Sequence, residues 1–231
     1  MRQQLTINGL LMPADFPVAP FERVYARLRP RAATHAAQYE HFSGAWNAIS
    51  FRYWALCAYG EDFTASIDEA GAADNHDQRY RQERHLFGFF SNGFSTFEAF
   101  FYGMFAIGAI LQPASFPLAT PKDQQAVSPS STERAFTTAF RGDPLLASFQ
   151  AIFSDAAYRE WKEIRNVLTH RTAPGRRIFV SIESDEVLPA RWKINDIPLD
   201  RNTAATRRAH AARLLGVVLE AAATFVEVRV R

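Results

Sequence analysis

Hydrophobic positions along this chain recur mostly at intervals of three and four residues, the spacing of helices that bury one face. Over residues 34–59, Phe42, Trp46, Ile49, Tyr53 and Leu56 form a single apolar stripe, and Thr34 is placed to cap its start. A long helix is expected over residues 78–111, and its part from 86 to 111 is more apolar still. Ser91, Asn92, Ser95, Thr96, Glu98 and several glycines interrupt that run, which favours a central core helix over a membrane span. A final helix is expected over residues 203–228, with Leu214, Val217, Val218, Ala221 and Phe225 on one face.

Between these stretches the pattern weakens. Residues 60–78 are polar and acidic and read as a loop, and the Pro/Ser/Thr-rich run at 112–131 reads as a flexible linker or flap. Ser131 could cap a short helix to residue 140. Gly142-Asp143-Pro144 then breaks the chain before another short helix at 144–153. Ser154 or Asp155 would cap the next helix, and Pro174-Gly175 would end it. Residues 177–183 and 190–194 suggest a small β-hairpin. Residues 1–33 hold scattered prolines and glycines and read as an irregular arm. The expected architecture is all-α: a bundle of four or five helices with a hairpin (177–195) before the C-terminal helix, forming one domain over 34–231.

Composition supports a packed protein. Of 231 residues, 48% are hydrophobic and 22% charged, and 20 are phenylalanine, which favours aromatic-rich helix packing. Cys57 is the single cysteine, so neither an intrachain disulfide nor a cysteine-based zinc cage can form. With no basic-then-apolar leader pattern at the start, the expectation is a cytoplasmic protein with no membrane association. The basic residues are 23 arginines and 3 lysines, and arginine's planar fork suits bidentate contact with phosphate. Residues 171–231 carry 11 basic and 7 acidic groups, an excess that would weakly attract a polyanion to that end.

That basic excess begins just after the segment that carries the candidate chemistry, Arg165-Asn166-Val167-Leu168-Thr169-His170. On a helical wheel Ala157, Tyr158, Trp161, Ile164 and Leu168 form the apolar stripe and Arg165 borders it. Asn166 and His170 share the exposed side with Lys162 and Glu163. Five positions along a helix turn the chain by about 500°, so Arg165 and His170 project about 140° apart. One helix cannot easily close both around a small ligand, whereas two copies facing each other could. The bare spacing is not specific. Arg29 with His35 and Arg79 with His85 come within one residue of it, although Pro30 breaks the first pair.

In context, with Asn166 directly after the arginine and a helix end close behind, residues 155–172 resemble the HEPN superfamily of all-α nucleotide-binding domains. The resemblance implies a metal-independent endoribonuclease with no cofactor, acting on RNA at a composite homodimer site and leaving a 2′,3′-cyclic phosphate. It casts Arg165 as the phosphate clamp, His170 as general acid or base, and Asn166 as the group that orients one of them. Glu98 and Thr169 would support these groups, and Arg171, Arg176, Arg177 and Trp192 would contact RNA. An antitoxin or a nucleotidyltransferase is the implied class of protein partner, in a toxin–antitoxin or defence setting. Some members of the superfamily do not cut, so a non-catalytic module binding a protein or nucleotide is the second expectation. In an unrelated bundle, Arg165 would instead pair with Glu160 or Asp155 and His170 would decorate a helix end.

Other chemistries find less support. Ser91, Ser95, Glu98 and Tyr102 form a polar stripe that needs hydrogen-bond partners, within the helix packing or at a cleft. Trp161 reads as core. His35, His41, His76 and His85 lack metal-ligand spacing. Neither a glycine-rich phosphate loop nor a Gly-x-Ser-x-Gly elbow is present.

Overall fold

A computed structural model of the chain describes residues 3–5, 11–71, 75–171, 175–179 and 190–230. It is predominantly helical, as the periodicity requires, with eight α-helices among the described residues instead of four or five. In chain order these are α1 (Val18–Leu28), α2 (Ala36–Ala70), α3 (His76–Leu111), α4 (Pro121–Ala126), α5 (Pro129–Ala139), α6 (Pro144–Ser154), α7 (Ala156–His170) and α8 (Asn202–Arg229). Strands β1 (Gln3–Leu5) and β2 (Leu11–Pro13) pair antiparallel, as do β3 (Arg176–Arg177) and β4 (Arg191–Trp192). Most of the expected 177–195 hairpin lies outside the described residues.

Three expectations are corrected. The N-terminal arm is not irregular throughout, because Phe21, Val24 and Leu28 are buried at helical spacing on α1. Pro17 precedes that helix and Pro20 sits in its first turn, where a missing N–H costs little. The acidic loop at 60–78 is largely helix: Phe63 and Ile67 continue the buried stripe of α2. The run at 112–131 is folded. Thr120 and Asp123 form a reciprocal capping box for α4, and Ser128 and Ser131 form one for α5, each with proline in the first turn. Ser128, not Ser131, is the α5 cap.

By its internal contacts the chain divides into two compact units. The first comprises Met1–Trp54, Ser95–Asp155 and Ala212–Arg231, and the second Ala55–Phe94 and Ala156–Ala211. Aromatic rings fill the first core. Trp46 stacks on Phe21 at 5.7 Å and donates its indole N–H to the Phe21 carbonyl at 3.0 Å. Phe101 meets Phe149 at 5.1 Å, and Phe136 meets Phe225 at 5.5 Å. In the second unit Trp161 lies 4.9 Å from Phe89 and 5.0 Å from Phe90, and Phe90 lies 5.7 Å from Trp192.

By length and composition α3 could cross a membrane, yet 78% of its most apolar window is buried inside the protein. That burial is the pattern of a core helix.

Candidate functional site

The candidate site is built on α7, which buries Tyr158, Trp161 and Ile164 at helical spacing. Its seat in the second unit is set by a close approach to α3. A Cβ on Gly93 would stand 2.0 Å from the Trp161 ring, so only glycine lets that indole in. One residue further along α3, Phe94 receives Tyr158 at 5.5 Å. The Arg165 guanidinium carbon lies 4.6 Å from the centre of the same Phe94 ring, within the range of a cation–π contact. Arg165 is half-buried, bordering the apolar stripe.

Asn166 is half-buried as well, while Thr169 and His170 are exposed. The Thr169 hydroxyl donates to the Arg165 carbonyl at 2.8 Å, a bond back along its own helix. His170 occupies the last turn and makes no hydrogen bond or ion pair among the described residues. Arg165 therefore rests on a ring while His170 faces solvent, a turn and more further on. Glu160 accepts from Arg207 at 2.7 Å and Asp155 from Arg213 at 2.8 Å, so both carboxylates considered for Arg165 hold other arginines.

Two of the four residues expected to touch RNA are structural. Trp192 is fully buried, and its indole N–H donates to both Glu83 carboxylate oxygens, at 3.1 and 2.9 Å, leaving no face on which a base could stack. The Arg176 side chain is only 2% exposed; its Nε donates to Glu83 at 2.7 Å and one Nη to the Gln82 amide oxygen at 2.8 Å. Arg177 is exposed but pairs with Asp196 at 3.1 Å. Arg171, directly after His170, is exposed.

Glu98 belongs to the first unit. There the Ser95 hydroxyl donates to Glu98 at 3.2 Å, and Arg52 donates to the Ser95 carbonyl at 2.8 Å. Tyr102 Oη lies 3.1 Å from His41 Nδ1, and burial raises the phenol's pKa. Glu98, Arg52, His41 and Tyr102 line a cleft of about 590 Å³ floored by Gly44, Ala45, Ala48 and Ala99. The polar stripe of α3 is thus partly a hydrogen-bond seam and partly the wall of a cleft. Sequence spacing did not find His41 or Arg52, because their partners lie 61 and 43 residues away. In the second unit, the buried Ser91 hydroxyl has no partner among the described residues.

Among the described residues no cluster of three or more His, Cys, Asp or Glu could hold a metal ion. No protein-family model matches the chain, and no curated protein or solved structure is detectably similar to it.

Proposed function

We propose that the protein is a metal-independent endoribonuclease whose site is shared between two copies of the chain, in the manner of HEPN nucleases. The observation that supports this most is the separation of the two motif groups on one rigid helix. Arg165 is held against Phe94 and His170 is exposed at the helix end, a separation that favours an arginine and a histidine from different copies meeting at one phosphate.

In the reaction, the imidazole of His170 takes the proton of a ribose 2′-hydroxyl. The 2′-oxygen attacks the adjacent phosphorus, the bond to the 5′-oxygen breaks, and that oxygen takes the proton that the imidazolium returns directly or through a water. The products are a 2′,3′-cyclic phosphate and a 5′-hydroxyl. Arg165 spans the non-bridging oxygens as negative charge builds on them, which is where a planar fork is most effective. Asn166, next to it in sequence, supplies an amide to orient the phosphate or the imidazole.

The exposed imidazole also favours a second reading, a non-catalytic helical module. Nothing among the described residues orients His170, whereas a general base is usually held by a third group. Incubating the protein with RNA in the presence of EDTA separates the two. The nuclease reading expects cleavage that falls at least 100-fold in Arg165→Ala and in His170→Ala, the effect of losing a charge clamp or a general base. RNA left intact by the wild type at high concentration supports the module.

A further inference from the structure

On the N-terminal half of α3, two large aromatic side chains face solvent: Tyr80 is 67% exposed and Phe87 44%. Seven residues apart, they lie about 20° from each other around the helix and about 10 Å apart along it. Arg84 projects between them, about 40° to one side of Tyr80, and Arg81 flanks the strip about 100° round. Both arginines are exposed, and neither makes an ion pair among the described residues. Several other arginines of the second unit are matched to carboxylates, as with Arg201 and Asp68, Arg207 and Glu160, and Arg208 and Glu61.

The nearby acids make no ion pair with these two arginines among the described residues. Glu83, the acid between Tyr80 and Phe87 in sequence, is held by Arg176 and Trp192. Asp77 is exposed one turn before Arg81 and pairs with neither arginine. The α3 cap is internal to its own turn, where Asn75 Oδ1 accepts from the Gln78 N–H at 2.9 Å. The strip is therefore two exposed rings, about two turns apart, with two cations beside them.

We infer that this face of α3 is a stacking platform for single-stranded RNA. Tyr80 and Phe87 each take the face of one base, and Arg81 and Arg84 take the phosphates between. Every base offers a π-face and every link offers a charge, so such a surface grips strands with little regard to sequence. A protein partner would need acids set against both arginines to avoid burying them unpaired, whereas RNA brings a phosphate with every nucleotide. The choice of RNA rests on the nuclease reading above; the stacking geometry does not.

The test is fluorescence anisotropy with a short 2′-O-methyl oligoribonucleotide, which lacks the attacking hydroxyl and so cannot be cut by the proposed chemistry. Full-length wild type is compared with Tyr80→Ala/Phe87→Ala and with Arg81→Gln/Arg84→Gln. All four side chains are exposed, so the variants keep their cores, and matching thermal unfolding curves verify this. Loss of the rings should weaken binding at least tenfold at every salt concentration, since each stacked base contributes about 1–3 kcal/mol. Loss of the arginines should reduce the slope of log K against log salt by about 1.4, two single-strand phosphates' worth. Equal affinity of all three proteins overturns the inference. So does a wild type that prefers a duplex of the same sequence, or a ring variant that keeps its binding and changes only its state of association. Intact strand binding by a protein that never cuts RNA would sink the nuclease reading and leave the platform standing.

Discussion

At the residue scale the second unit turns on Glu83. One carboxylate accepts from both the Arg176 Nε–H and the buried Trp192 indole N–H, tying β3 and β4 to α3. Removing one partner of such a pair strands the other, and Glu83→Ala should cost the lower end of the roughly 3–5 kcal/mol seen for buried pairs, because Glu83 is partly exposed. Urea unfolding measures this; a loss under about 1 kcal/mol would mean that Gln82 alone suffices for Arg176. This knot was invisible in the sequence. Trp192 beside Arg191 and Lys193 resembled a nucleic-acid contact, and the residue that buries it stands 109 positions away. His85 carries a second prediction at this scale. Burial lowers its pKa below the ordinary 6.5, Arg84 and Arg81 add to that, and Asp62 at 3.8 Å opposes it. The unfolded chain then binds the proton more readily than the folded one. His85's contribution is complete above 6.5 and is lost as pH falls through the folded value. Wild type should be less stable at about pH 5.5 than at about pH 7.5, and His85→Gln should flatten the difference. A slope unchanged by the substitution would place the titration elsewhere.

At the element scale, helices were legible where an apolar run stood out from its surroundings, as in α3, α6, α7 and α8. They were missed where polar composition masked a continuing stripe. Phe63 and Ile67 extend α2 through residues that look like an acidic loop, and Gly60 allows the close approach of Phe89, 3.1 Å from where a Cβ would sit. Pro121 and Pro129 looked like breakers, yet each occupies a first helical turn behind a Thr or Ser cap. The motif helix depends on a smaller feature still. Gly93→Ala would force a methyl into the Trp161 ring, and overpacking of this kind costs about 1–3 kcal/mol or more. The expected result is a lower unfolding temperature together with a shift in tryptophan fluorescence as α7 is pushed from α3. An unaltered spectrum with full stability would contradict the close approach.

At the scale of the whole molecule, the helical class was legible in the pattern of apolar positions and the division into two units was not. Periodicity reports which face of a helix is buried, not which partner buries it. α2, α3 and α8 each contribute residues to both units, so no linker marks the boundary. The proposed chemistry also lives at this scale, because α7 holds Arg165 and His170 about 140° apart and the proposal brings the arginine of one chain to the histidine of another. The direct test is to mix the Arg165→Ala and His170→Ala proteins, each inactive alone, under conditions that let subunits exchange. Random pairing makes half the dimers mixed, each with one intact arginine–histidine pair out of two, so RNA cleavage should return to roughly a quarter of the wild-type rate. A mixture as inactive as its components, although mixed dimers form, would contradict a site built from the arginine of one chain and the histidine of the other.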